Sequence, residues 1–276
     1  MQIFHVFLLF LCYSFIGWAW ETALCSTREK RFINRGFLYG PLCPVYGFGG
    51  LLIMYLLKPW AHTWIPLFLA SMVITSILEY LTSWGMEKLF HARWWDYSSH
   101  KFNLNGRIYL GGAFFFGIMG TTVMHFVHPY LVNFLVSLPN AVVTGLAISL
   151  GVVLAVDFAF TLRNLVDFAS YMTKLRSFVE TLRERYTTES WYQESSLSEL
   201  FERIKERIEE GKLKADANLL ETMEALKNRQ RRHYGFVRRF PSMRSEKFRL
   251  GIENLKQQVR EEIRQRREER KNKKAQ

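Results

Sequence analysis

The chain has 276 residues and a formal net charge of +12, and its charged residues are distributed very unevenly. Residues 1–162 contain 9 Lys and Arg and 6 Asp and Glu, whereas residues 163–276 contain 28 and 19. About a quarter of the residues in an ordinary soluble domain are charged. With these 15 charged residues, residues 1–162 have too few charges for a soluble domain. The sequence therefore predicts a transmembrane domain over residues 1–162 and a basic, water-exposed tail over residues 163–276.

The first part contains apolar segments of the length that a membrane span needs. About 20 helical residues cross the roughly 30 Å of hydrocarbon in a bilayer. One further apolar piece, Tyr130–Leu138, lies between two prolines and is too short to cross, so we expect it to be re-entrant or interfacial. The predicted fold class is an all-α, polytopic helix bundle. Its five expected spans are Ile3–Leu24, Tyr39–Leu57, Trp64–Trp84, Ile108–His125 and Ala141–Phe160.

The loops between these segments predict the orientation of the bundle. Residues 25–38 and 85–107 each contain four Lys or Arg, whereas residues 58–63 contain one. Cytoplasmic loops have an excess of Lys and Arg, and here the excess falls on alternate loops and again on the tail. We therefore expect a multi-pass protein of the cell membrane, with its N-terminus outside and its C-terminus in the cytoplasm.

The tail is predicted to be helical. Apolar residues at three- and four-residue spacing continue from Phe158 to Leu182, which indicates an interfacial amphipathic helix or a stalk. Further helices are expected over 197–208, 213–226 and 248–263. Basic runs in the tail favour contact with anionic lipid or with a protein over binding to nucleic acid, because a cationic segment beside a membrane already has a partner.

Two carboxylates in the predicted spans form the centre of a candidate site. Glu21 lies about 18 residues into the first span and Glu79 about 15 residues into the third, so both are expected near the cytoplasmic face. Arg35 and Arg107 are the nearest cations in the predicted topology. Ionisable groups are costly in a bilayer and mark functional sites. Two interpretations stay open: an ion-pair network that fixes helix ends, and a polar cavity that binds a ligand.

Other unusual residues are expected at the same face. Prolines and glycines crowd the start of the second span, where ordinary helix is not expected; such backbone is tolerated in a membrane when it is buried or lines a cavity. The loop before the fourth span is rich in polar and aromatic residues. The full candidate cluster is Glu21, Arg35, Tyr39, Glu79, His91, Trp95, Asp96, Asn103, Asn105 and Arg107.

The sequence gives little support for a metal, a cofactor or a catalytic residue. His91, Asp96 and His100 match no established spacing of metal ligands. The chain has no Gly-x-x-x-x-Gly-Lys-[Ser/Thr] motif, so we do not expect it to hydrolyse nucleotide itself. No metal site, cofactor or catalytic residue is therefore predicted.

Five separated motifs occur in the order found in one known family. They are Tyr13-Ser-Phe-Ile-Gly-Trp-Ala-Trp-Glu-Thr, Asn34-Arg-Gly-Phe-Leu-Tyr-Gly-Pro, Leu78-Glu-Tyr-Leu-Thr-Ser-Trp, His91-Ala-Arg-Trp-Trp-Asp-Tyr-Ser and Asn105-Gly-Arg. Over about residues 4–160 the chain resembles the ABC-transporter type IV family of the CmpB type. The resemblance implies an integral membrane protein classed as an ABC transporter permease. It assigns no role to individual residues, but the following belong to the matched motifs: Glu21, Arg35, Glu79, Trp95, Asp96, Asn105 and Arg107.

Three functional hypotheses follow. The first is a permease-like component whose cluster binds a substrate or gates a path, and whose tail docks a separate ATPase or another cytoplasmic protein. The second is a membrane-embedded enzyme that acts on a lipid at the inner leaflet, with Glu21, Glu79, His91 and Asp96 as acid and base candidates. The third is a non-catalytic membrane scaffold. All three have the lipid bilayer as a partner and leave oligomer formation open.

Overall fold

A computed structural model of the protein describes residues 2–189, 197–211 and 217–275. The chain divides into two compact units, of which the first contains residues 1–89 and 95–164 and the second residues 90–94 and 165–276. In chain order the elements are α1 (Ile3–Glu29), α2 (Pro44–Leu56), a 3₁₀ turn (Lys58–Trp60), α3 (Trp64–Phe90), β1 (Asn103–Leu104), β2 (Ile108–Tyr109), α4 (Leu110–Thr122), a π-helical turn (Val123–Val127), α5 (His128–Ser137), α6 (Asn140–Tyr186), α7 (Leu197–Glu209), α8 (Ala217–Arg239) and α9 (Arg249–Ala275).

Among the residues that the structure describes, four helical segments are long and apolar enough to cross a membrane, which confirms the predicted helical membrane class. Many of their large apolar side chains face away from the rest of the chain; Val73, Ile118 and Val153, for example, are 58%, 47% and 64% exposed. Apolar surface of this extent is stable in lipid and unstable in water. The four segments are Ile3–Glu29, Trp64–Phe90, Leu110–Ser137 and Asn140–Tyr186.

The second predicted span differs from the other four. Its helix, α2, has 13 residues, which rise about 20 Å, well short of the roughly 30 Å of a bilayer core. Residues 31–43 before it are not helical. Pro44 begins α2, because a proline lacks only a backbone donor that the first turn does not use. The five-span count and the orientation stay predictions.

The prediction that Tyr130–Leu138 forms a separate short segment is wrong. Helical structure continues from Leu110 to Ser137, through the π-helical turn at Val123–Val127. Pro129 does not break it, because this proline lies in the first turn of α5, directly after the wider turn. The helix ends where Leu138 becomes extended, which is the conformation favoured before a proline.

Close packing of α1 against α2 depends on three glycines. A Cβ atom at Gly17 would lie 2.1 Å from the Tyr46 ring, and one at Gly50 would lie 2.5 Å from the Tyr13 ring. A Cβ atom at Gly47 would lie 2.2 Å from the hydroxyl oxygen of Ser14. Small residues allow helix backbones to approach each other in lipid. These contacts belong to a core whose buried members are Leu8, Leu9, Leu11, Tyr13, Ile53, Met54, Leu57, Leu67, Met124, Leu135, Val143 and Ala147.

The second unit contains the C-terminal half of α6 together with α7, α8 and α9. The helical periodicity predicted beyond Phe158 is confirmed, since α6 continues without a break to Tyr186. Within the second unit, the buried residues of α6 begin at Leu165, and their three- and four-residue spacing places one apolar stripe against the other helices of the unit. The buried residues of this stripe are Leu165, Phe168, Tyr171, Met172, Leu175, Phe178, Val179 and Leu182.

His233 on α8 gives the second unit a predicted dependence on pH. The side chain is buried against the rings of Phe168 and Tyr171. Burial lowers the pKa of His233 below its ordinary value; the Asp167 carboxylate opposes this effect, whereas the positive charges of Arg229 and Arg232 add to it. Below a pH of about 6.5 the unfolded chain therefore binds a proton that the folded unit resists.

We expect the free energy of unfolding of this unit to fall as the pH is lowered from 7.5 to 6. Thermal unfolding of the full chain in nanodiscs, followed by circular dichroism, measures the effect. In a His233→Phe variant, which keeps an aromatic ring in the same place, the slope with pH should be smaller. An equal slope in both proteins would assign the pH dependence to other groups.

Candidate functional site

Glu21 is held between two groups from outside its own helix. Its carboxylate accepts a 2.5 Å hydrogen bond from the Tyr46 hydroxyl on α2. Its second oxygen lies 3.7 Å from Nε of Arg35. The Arg35 and Glu21 side chains are 14% and 27% exposed, so the pair is largely but not fully removed from the surroundings. These two contacts connect α1 to α2 and to the non-helical residues before α2.

The position of Tyr46 depends on Gly17, which has no side chain. Gly17 lies one turn before Glu21 on the same face of α1, and the Tyr46 ring occupies the space that a Cβ atom would take. Any larger residue at this position would displace the ring and the hydroxyl that reaches Glu21. The α1–α2 packing and the hydrogen bond from Tyr46 to Glu21 therefore both depend on Gly17.

The non-helical residues 31–43 position Arg35. The backbone N–H of Arg35 donates to the Thr22 hydroxyl at 3.3 Å. The Asn34 side chain accepts a 2.6 Å bond from the indole nitrogen of Trp18 and donates a 3.0 Å bond to the carbonyl of Tyr39. Irregular backbone at membrane depth requires such partners, because its N–H and C=O groups are otherwise unpaired.

Asp157 on α6 anchors the same loop, and the sequence did not single it out for this role. Its two carboxylate oxygens accept hydrogen bonds of 2.9 and 2.7 Å from the backbone N–H groups of Tyr39 and Gly40. A Cβ atom at Gly40 would lie 2.9 Å from the carboxylate, so glycine permits this close approach. The side chain of Tyr39, a predicted site residue, is 49% exposed. An isolated acid in an apolar helix was the available signal.

Glu79 on α3 forms a hydrogen bond with Tyr97, a residue that was not predicted. The Glu79 and Glu21 carboxylates are close enough to repel each other electrostatically. Burial, followed by the negative charges of Glu79 and Glu21, raises the pKa of Tyr97 far above its ordinary value, so its phenol keeps its proton and can donate. We call Glu21, Arg35, Tyr46, Glu79 and Tyr97 the polar cluster.

The segment between α3 and α4, which contains six of the predicted site residues, forms a small hairpin. Its strands pair Asn103 with Tyr109 and Leu104 with Ile108. Asn105 and Gly106, with φ angles of 53° and 67°, make the tight turn, as expected for an Asn-Gly pair that joins two strands. Asn103 bonds to the carbonyl of His100 at 2.7 Å and accepts from Gly106 at 2.9 Å. Its role is therefore to hold the loop.

The remaining predicted residues of this loop also have local partners. The indole nitrogen of Trp95 donates to the carbonyl of Arg107 at 2.9 Å. Asp96 accepts hydrogen bonds from the backbone and the hydroxyl of Ser98. Asn105 donates to the Tyr80 hydroxyl at 3.0 Å. These contacts give the motif residues structural roles in the loop.

Arg107 was predicted to neutralise one of the two central carboxylates, and the structure gives it other contacts. It is 7% exposed, forms an ion pair with Glu87 on α3 and donates to the Ser83 hydroxyl at 3.3 Å. Its guanidinium also lies 5.5 Å from the centre of the Tyr80 ring. Arg107 thus links the hairpin to the last turns of α3.

His91 belongs to the second unit, where its ring lies 6.2 Å from that of Phe248. The acid and base set of Glu21, Glu79, His91 and Asp96 is therefore divided between two units. Within the described part of the chain, no group of three or more His, Cys, Asp or Glu side chains could hold a metal ion.

The comparisons with known proteins agree with the membrane part of this description. A model of the family described as "Putative ABC-transporter type IV" matches residues 8–162, which is more than half of the chain. No curated protein and no solved structure matches the chain. The matched region includes every member of the polar cluster. It ends three residues before Leu165, from which the second unit continues without interruption.

Proposed function

This chain belongs to the family described as "Putative ABC-transporter type IV", and on that premise we propose that it is a multi-pass transporter component of the cell membrane. Its polar cluster binds the transported substrate, or gates its path, at the cytoplasmic side. The observation that supports this role is the pair of neighbouring carboxylates, Glu21 and Glu79, in helices that are otherwise apolar. Such groups are costly in lipid and are expected where a substrate or ion passes.

The two carboxylates of the polar cluster have partners of different charge, and this difference suggests how the cluster works. Arg35 lies beside Glu21, while Tyr97 provides a neutral donor to Glu79. A cationic or hydrogen-bonding group of a substrate would reduce the repulsion between the two carboxylates. Binding of such a group would therefore favour a closed arrangement of α1, α2 and α3.

The basic tail is the expected docking region for a separate ATPase. Because this chain has no phosphate-binding loop motif, the energy of nucleotide hydrolysis would come from another subunit. Residues 163–276 have a net charge of +9, from 28 Lys and Arg against 19 Asp and Glu. Such a segment is also attracted to the anionic inner leaflet of the membrane.

The functional test is purification of the full chain with its native partners in nanodiscs. We expect an ATPase to copurify with the wild-type chain and with a Glu21→Gln, Glu79→Gln double variant. Substrate- or lipid-stimulated ATP hydrolysis by the complex should fall at least about tenfold in the double variant, since a two-charge loss removes several kcal/mol of binding energy. A Glu29→Gln variant, which removes a more exposed acid at the end of α1, should behave as wild type.

Two other outcomes would change the assignment. Full hydrolysis in the double variant would leave the chain as a scaffold without a working cluster. Absence of any copurifying ATPase, combined with turnover of a bound lipid, would support the enzyme hypothesis instead.

The predicted orientation has an independent test by cysteine labelling. In a variant with Cys12, Cys25 and Cys43 replaced by serine, Trp60→Cys should react with a membrane-impermeant maleimide in intact cells. His100→Cys should react only after the cells are opened. For α2 to cross, the non-helical residues before it must supply part of the thickness, since extended chain rises about 3.3 Å per residue. The reverse labelling pattern would overturn the topology.

A further inference from the structure

The short segment that follows α3 is bound by the tail. Residues 90–94 belong to the second unit although they lie between two membrane helices in the sequence. The backbone N–H of Arg93 donates to the carbonyl of Arg244 at 2.7 Å, and the N–H of Arg244 donates to the carbonyl of Arg93 at 2.9 Å. The Ser245 hydroxyl adds a hydrogen bond to the carbonyl of His91. The tail thus pairs with this segment as one strand pairs with another.

A tryptophan anchors the same segment. Trp94 is 2% exposed, and its ring lies 4.8 Å from that of Phe236 and 4.9 Å from that of Phe240. Both rings meet Trp94 edge-on, a favourable arrangement for aromatic pairs. Tryptophans buried in well-packed pockets are common among the residues that dominate the binding energy of protein contacts.

The start of the segment also has an unusual backbone conformation. His91 directly follows the last residue of α3 and has a φ angle of 53°, which residues other than glycine rarely adopt. Conformations of this kind persist where the surrounding contacts determine them, and they are common at switch regions. The contact therefore fixes the end of α3 at the cost of local strain.

We propose that residues 236–248 form a recognition surface for the Phe90–Trp94 segment, and that through it the tail controls the position of α3 and hence of the polar cluster. Glu79 precedes Phe90 by 11 residues on the same continuous helix, so a displacement of the helix end moves its carboxylate. This inference rests on the proposed function, since it makes the contact the route by which a partner on the tail acts on the cluster.

The surface and the segment fit each other in a way that allows release. The contact includes the buried Trp94 ring and hydrogen bonds from and to Arg244 and Ser245. Within the described residues no disulfide or metal joins the two parts. A partner that moves the tail helices could therefore release the segment by breaking non-covalent contacts alone, as expected of a reversible coupling contact.

The test compares Trp94→Ala with Trp84→Ala in the full chain in nanodiscs. Both residues are tryptophans near the end of the same helix, but Trp84 is 48% exposed. Hydrogen exchange at the Arg93 and Arg244 amides reports the contact, and we expect Trp94→Ala to accelerate it at least tenfold. The alkylation rate of Cys43, which precedes α2 by one residue, reports the polar cluster in a background with Cys12 and Cys25 replaced by serine.

Coupling predicts that Trp94→Ala also changes the Cys43 alkylation rate at least fivefold, that Trp94→Phe restores both readouts, and that Trp84→Ala changes neither. If exchange accelerates while the Cys43 rate stays unchanged, the contact only stabilises the tail and the proposal is overturned. Ser245→Ala, which removes the hydrogen bond to the His91 carbonyl and the one from the Phe248 N–H, provides the same comparison at smaller amplitude if Trp94→Ala does not fold. The effect of the Glu21 and Glu79 variants on ATP hydrolysis is independent of this result, so failure here leaves the proposed function standing.

Discussion

Replacement of Gly47 by alanine is expected to destabilise the membrane unit by about 1–3 kcal/mol, the usual cost of forcing an extra methyl group into a packed core. The new Cβ atom would lie 2.2 Å from the Ser14 hydroxyl oxygen and 2.6 Å from the Phe10 ring. In an unconstrained helix the same change would stabilise by roughly 0.5–1 kcal/mol, because glycine loses more backbone entropy than alanine. At Gly47 the steric cost is larger, so the sign reverses.

Gly145→Ala is the matched control, since no other atom lies within 4 Å of a Cβ at that position on α6. Thermal unfolding of both variants in the same detergent, monitored by size-exclusion chromatography, measures the difference in their unfolding midpoints. For a unit of this size we expect the Gly47→Ala midpoint to fall by several degrees and the control midpoint to stay level or rise. Equal midpoints would show that α1 and α2 are further apart than described.

Removal of the guanidinium in an Arg35→Ala variant is expected to produce the other large effect. Loss of one partner from a buried ion pair costs about 3–5 kcal/mol, because the remaining charge keeps its desolvation penalty. Arg35 and Glu21 are 14% and 27% exposed, so a value nearer to about 2–3 kcal/mol is expected here. The Tyr46 hydroxyl would still donate to Glu21, which limits the loss further.

A double-mutant cycle separates the ion pair from the general effect of a shorter side chain. Adding Glu21→Gln to Arg35→Ala removes the uncompensated charge and should recover part of the lost stability. Arg28→Ala, which removes an exposed cation from the last turn of α1, should leave the unfolding temperature unchanged. An Arg35→Ala protein that melts as wild type would mean that the carboxylate is solvated in the folded state.

The membrane helices were predictable because lipid imposes a simple rule of length and hydrophobicity on the sequence. The same rule failed at Pro129, where the sequence predicts the end of a helix. The helix continues there, because the π-helical turn directly before this proline accommodates it. The start of the second span follows the sequence prediction: α2 begins only at Pro44, because prolines and glycines keep the residues before it out of the helix.

The candidate site was predictable in part. Topology alone indicated that Glu21, Glu79 and Arg35 would approach one end of the bundle, because ionisable residues are scarce in that region. It could not indicate which hydroxyl would meet which acid, since the contacts of Tyr46 and Tyr97 depend on helix packing and loop geometry.

The partners of two further residues also lay beyond the sequence. Glu87 follows Glu79 by two helical turns, and only the hairpin geometry decides that Arg107 binds the former. Binding of the Trp94 segment by the tail involves residues about 150 positions apart in the chain. No local pattern records a contact of that kind.

The π-helical turn at Val123–Val127 has a consequence for every residue that follows it in α5. Each residue of an α-helix advances the direction of the side chain by about 100°. The wider turn absorbs one additional residue, so the later side chains keep the directions that they would have in a regular helix one residue shorter. His128 points to Tyr13, with 2.7 Å between its ring nitrogen and the phenol oxygen, and Leu135 points to the core. Conversion of the turn to regular α-helix, with no residue lost, would rotate both away and direct neighbours such as Phe134 inward. The inward-facing side of the ten residues of α5 thus depends on the geometry of one turn.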